Sequence, residues 1–187
     1  MELSDIAHII SICNAVIAVL VMQLKSIKTI LVGHITINLI GGISFFMLGG
    51  YSGASVCFVA IVQCAIMFLY DRKGSKPRFP VILAFMSAYV ACAIISYQTP
   101  FDLLAALAAL FFAFGVTRTT PAEVRRWNAL NPLTWLAYDI CIGAYGSIIM
   151  HGTIFLSIAI AIIRLDILPK RRAIKKSFSD NDQLPKN

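Results

Sequence analysis

The sequence predicts an all-α polytopic membrane protein: seven transmembrane helices forming two parallel three-helix bundles joined by a linker helix, a 3+1+3 arrangement. Three observations lead there. The 187-residue chain is 59% hydrophobic and only 13% charged, and its mean hydropathy of +0.82 is too high for a soluble domain. Its apolar residues fall in runs close to the roughly 20 residues that cross a bilayer. All sixteen Lys and Arg residues lie in, or at the edge of, every second connection.

In order, the runs lie at roughly 6–24, 29–48, 54–70, 80–97, 101–117, 127–143 and 147–168. Glu2 and Asp5 stand where a secretory signal would carry lysines, so the first run is expected to remain as a span. The fifth, FDLLAALAALFFAFGV, is short and rich in alanine, which suits a helix packed closely by its neighbours better than one facing lipid. Lys25 and Lys28, then Arg72 to Arg78, then Arg118 to Arg126, then Arg164 and the tail carry the basic residues, whereas GGYSG, SYQTPFD and GAYGS carry none. Cytoplasmic loops concentrate Lys and Arg, so the N-terminus is expected outside and the C-terminus in the cytoplasm. From Pro169 onward the tail is polar and of mixed charge, with no core-forming pattern. The net charge of +7 is scattered over these loops instead of forming one stripe, and no nucleic-acid partner is expected.

Spans one to three and five to seven share a schedule: a span ending at a basic loop, a return span, a short turn with glycine and tyrosine, and a span ending in basic residues. Setting Tyr51 on Tyr145 gives an offset of 94 that also aligns Gly49 with Gly143. Three spans per half is an odd number, so the fourth must reverse the chain, which makes the repeat a parallel one about the membrane normal. The chain then divides into a first bundle at 1–70, a basic loop and linker helix at 71–100, a second bundle at 101–168 and a flexible basic tail at 169–187.

Cys13, Cys57, Cys64, Cys92 and Cys141 all fall within spans and show neither a paired framework nor a CxxC site, so they read as packing residues. No metal and no cofactor is expected. The sixth span is the unusual one. Asn128, Asn131, Trp135, Tyr138 and Asp139 follow the spacing of one helical face, and Pro132 removes a backbone bond one turn back. A polar stripe at bilayer depth has to meet protein or water. In the second span His34, Asn38 and Gly42 share a face, with Asn38 opposite Pro132 at the repeat offset, while Asn14 and Gln63 lie at similar depth. The candidate substrate-binding residues are therefore Asn38, Asn131, Trp135, Asp139, Tyr138, His34, Gln63 and Asn14. Amides beside an indole suit a neutral polar or cyclic solute, and Asp139 would set an electronegative outer mouth that extends this to a weakly cationic one. The plainer reading stands beside it: Asn and Gln in membrane helices also bond neighbouring helices with no ligand involved. Asp139 and His151 could equally be outer-boundary residues, and Arg164 and Asp166 are expected as boundary charges at the inner end.

The stretches GGISFFMLGGYSGASVCFVAIVQCAIMFLYDR and RRWNALNPLTWLAYDICIGAYGSIIMHGTIFLSIAIAIIRL resemble the YgjV family of bacterial inner-membrane proteins, related to the SWEET, PQ-loop and PnuC group of seven-helix transporters. The resemblance implies paired three-helix bundles, a central solute path and a bacterial cytoplasmic membrane location. The chain has no Pro-Gln pair and only Pro132 inside a span, whereas SWEET-type transporters carry a proline in each of four helices, so a four-proline hinge does not carry over. Two function classes follow: a transporter or facilitator of a small polar solute, or a non-transporting receptor or assembly factor that binds a lipid, peptide or protein. An enzyme is not expected, since no Ser/His/Asp arrangement, HExxH or phosphate loop is present. The expected partners are the lipid bilayer and a small polar solute, with homodimer formation left open.

Overall fold

The computed structural model describes residues 3–47, 51–97, 99–142 and 145–171. The double-glycine turn at 49–50, the Gly143 position aligned with it, and the tail from 172 lie outside these described residues. The described residues form seven α-helices: α1 Leu3–Val21, α2 Ile27–Met47, α3 Tyr51–Arg72, α4 Phe79–Ser96, α5 Asp102–Val116, α6 Pro121–Ile142 and α7 Tyr145–Ala161, the last continuing through a π-helical stretch Ile162–Ile167. Each expected span coincides with a helix. Among the described residues four segments are long and apolar enough to cross a membrane: Ile27–Met47, Ala54–Arg72, Phe79–Ser96 and Ile148–Arg171. The apolar part of α1, Ile12–Val21, and the whole of α5 are shorter.

Helix α6 starts well before the expected residue 127. Thr120 Oγ1 donates to Glu123 Oε2 at 2.9 Å while the Glu123 N–H donates back to Thr120 Oγ1 at 3.3 Å, an N-cap that satisfies one of the first-turn amides left without a helical partner. Pro121 stands at the first helical position, where its missing N–H costs nothing. The extra turns carry Arg125 and Arg126 into the helix.

Helix α2 packs along both α1 and α3, α6 along both α5 and α7, α4 touches α3 and α5, and α1 meets α7. Gly33 permits the close α1–α2 approach, since a Cβ there would lie 2.5 Å from Val21 Cγ2. The alanines of α5 do the same for its neighbours. Ala108 and Ala113 are fully buried, and their carbonyls accept bonds from Asn131 of α6 and Gln63 of α3, both at 2.8 Å. Outward, Ile12, Val16 and Leu20 expose an apolar stripe along α1, and Ile149, Leu156 and Ile160 one along α7, as lipid contact requires.

The basic end of the molecule is closed. Val21, Met22, Ile30, Val124 and Ile158 form one core there, and Leu31, Cys64, Met67 and Val116 another. Beneath the first, Arg125 makes a two-bond ion pair with Asp166, Nε donating to Oδ2 at 3.1 Å and Nη2 to Oδ1, and its Nη1 donates to the Leu24 carbonyl at 2.9 Å. Both side chains are about 96% buried, at 4% and 3% exposure. Arg164 is exposed and donates to Gln23 Oε1 at 2.9 Å, as a boundary charge would. Asp166 is not a boundary charge, because the π-helical turn directs it inward onto Arg125.

Candidate functional site

Above that closed end the seven helices leave a cavity of about 510 Å³, within the size range of small-molecule sites. Its floor is Met22 and Ile158 of the first core together with Phe112 and Asn128, and it extends to Phe45, Ser96, Asp102 and Tyr138 at the opposite end.

Five of the eight residues singled out in the sequence line it: His34, Asn38, Asn131, Trp135 and Tyr138. Asn38 Nδ2 donates to the His34 carbonyl at 2.8 Å, one turn back, and Asn131 Nδ2 to Ala108 O of α5. Asn128, which also lines the cavity, donates to Val124 O at 3.0 Å. No bond to any of these three Oδ1 atoms is made among the described residues. His34 is 6% exposed, its ring edge-on to Phe112 at 5.0 Å, and its Nε2 has no partner.

Asp139 stands immediately behind the lining. Its Oδ2 lies 2.6 Å from His151 Nδ1, and the His151 ring stacks on Trp135 at 5.6 Å and 11°. Trp135 meets Tyr138 edge-on at 5.6 Å, and the Tyr138 hydroxyl donates to Asp102 Oδ1 at 3.3 Å. The other Asp102 oxygen accepts the Thr99 N–H at 2.6 Å. One connected cluster thus joins α5, α6 and α7 at the cavity's upper wall.

The remaining two amides lie elsewhere. Gln63 is fully buried with Nε2 on the Ala113 carbonyl, tying α3 to α5. Asn14 lies against Gly41 of α2, where a Cβ would come 3.1 Å from its Nδ2. Neither lines the cavity. The sequence marks His151 only as an outer-boundary residue and does not single out Asp102 or Tyr89, whose buried hydroxyl has no partner. The antiparallel α6–α7 pairing held the signal for His151, since it returns that residue to the depth of Asp139.

The arrangement offers an aromatic and polar pocket with an acidic rim. No curated protein and no solved structure matches the chain. Four long apolar helices and the outward apolar stripes of α1 and α7 suit a bilayer, and the family model described as Imp-YgjV, bacterial inner membrane protein, matches residues 5–168, so the chain belongs to the Imp-YgjV family of bacterial inner membrane proteins.

Proposed function

We propose that the protein is a carrier or facilitator for a small polar solute, which occupies the cavity between two three-helix units, α1–α3 and α5–α7, linked by α4. The observation that carries this reading is the placing of Asn38 and Asn131, on the second helix of each unit, in the wall of one cavity of about 510 Å³. Polar groups give up hydration at such depth at a cost, which water or a solute in the cavity offsets. The packing of α2 between α1 and α3, and of α6 between α5 and α7, supports a repeat of the SWEET-like kind, with α4 reversing the chain between halves. The one-sided basic residues support an outer N-terminus and a cytoplasmic C-terminus. The chemistry is binding and passage without catalysis.

The test is solute-dependent thermal stabilisation, and uptake into vesicles, for the parent protein against Trp135→Ala and Asn131→Ala. Both variants are expected to remain folded and to lose the stabilisation and the uptake. If both only melt earlier, and no solute acts on the parent, the amides serve as helix ties and a receptor or assembly role takes over.

A further inference from the structure

We infer, building on the solute-cavity reading above, that the cavity selects a small organic cation, a solute bearing an ammonium group. The charge around the void points one way. Asp102 lines it and the Asp139–His151 pair backs it, while among the described residues no Lys or Arg side chain reaches it. Counted over the described side chains, the acidic groups around the void outnumber the basic ones, with or without a proton on His151. The closest guanidinium below the floor, Arg125, is already matched by Asp166. In a low-dielectric recess a negative lining draws cations and repels anions.

Deeper in, the hydrogen-bonding groups agree with the charge. Asn38, Asn128 and Asn131 each hold their amide nitrogen on a backbone carbonyl, which fixes three Oδ1 acceptors without partners. His34 Nε2 and the Tyr89 hydroxyl are unpartnered as well, in side chains only 6% and 2% exposed that both line the void. Buried polar atoms are rarely left so, and each calls for a water or a ligand group. An ammonium group brings donors and charge to the three amide oxygens, and the Tyr89 hydroxyl oxygen can accept from it as well. Trp135, Tyr138 and Phe112 add ring faces, which attract cations by their quadrupole. A neutral polyol would satisfy the acceptors and gain nothing from the carboxylates.

The test uses the purified full-length protein and two matched ligand sets: 3,3-dimethylbutylammonium, 3,3-dimethylbutan-1-ol and 3,3-dimethylbutanoate, then phenethylammonium, 2-phenylethanol and 3-phenylpropanoate. In each set the cation is expected to bind about tenfold or more tightly than the alcohol, with no binding of the carboxylate. Asp102→Asn keeps one acceptor oxygen for the Thr99 N–H and presents an amide N–H that the Tyr138 hydroxyl oxygen can accept, while removing the charge, and it should bring the cation-to-alcohol ratio toward one. Asp139→Asn serves the same comparison should the first variant misfold, and a general loss of structure would weaken both ligands alike without moving the ratio. An alcohol or carboxylate binding as tightly as its cation overturns the cation inference and leaves the solute reading in place. No binding by any of the six compounds overturns both.

Discussion

The two ends of the molecule each hold an acid–base pair between α6 and the α7 segment, and the pairs differ in kind. At the basic end Arg125 and Asp166 are sealed under a hydrocarbon core and further tied to the Leu24 carbonyl. At the opposite end Asp139 and His151 border a void, with the imidazole stacked on Trp135. A guanidinium cannot shed its charge, whereas an imidazole can. The first pair is suited to hold helices in one place, whereas the second stands where its partners can be exchanged, at the edge of the void.

The same substitution at each end gives the largest contrast. Asp166→Asn strands a buried permanent charge and is expected to cost about 3–5 kcal/mol, while Asp139→Asn leaves an imidazole that can stay neutral and should cost about 1 kcal/mol. Thermal and denaturant unfolding in detergent would compare them, and equal costs would remove the distinction. Replacing the sealed pair together, as Arg125→Met with Asp166→Leu, should recover most of the loss, because two matched apolar side chains leave no charge behind.

Glycines give the next contrast. Gly33→Ala pushes a methyl into the Val21 side chain and should destabilise by about 1–3 kcal/mol. Gly152→Ala, one residue from His151, meets nothing within 4 Å and should be neutral or stabilise by up to about 1 kcal/mol through helix propensity. A penalty at Gly152 matching that at Gly33 would mean that the upper end is as tightly packed as the lower. The smallest effect concerns the start of α6: Thr120→Ala removes the capping bonds and should cost about 1 kcal/mol, with no change in any ligand's affinity.

Helix positions were legible because long apolar runs and one-sided basic loops are strong, local signals. Pairings between helices were not. Arg125 and Asp166 lie 41 residues apart, and each viewed alone looks like an ordinary charge at a helix end. Depth likewise grouped Gln63 and Asn14 with Asn38 and Asn131, but depth does not say which face a side chain occupies, and in α3 that face meets Ala113 instead of the cavity. The α6 start was legible in Thr-Pro-Ala-Glu at 120–123 and was masked by the weight given to apolar runs. His151 needed its partner across a helix hairpin before it gained a role.

The π-helical turn at Ile162–Ile167 also bears on how the chain can change length. Buried positions along this segment run Ile158, Ala161, then Asp166, a step of three followed by the step of five that i→i+5 bonding produces. Deleting any one residue from Ile162 to Leu165 would let the segment close into an ordinary α-helix and bring the aspartate to a step of four, still in phase with Arg125. A deletion within α6 has no such reserve and would swing Arg125 by about 100° relative to everything before it. Single-residue gaps should therefore be tolerated in this short window, and the phase of the last helix can be reset there without breaking the lock beneath the floor.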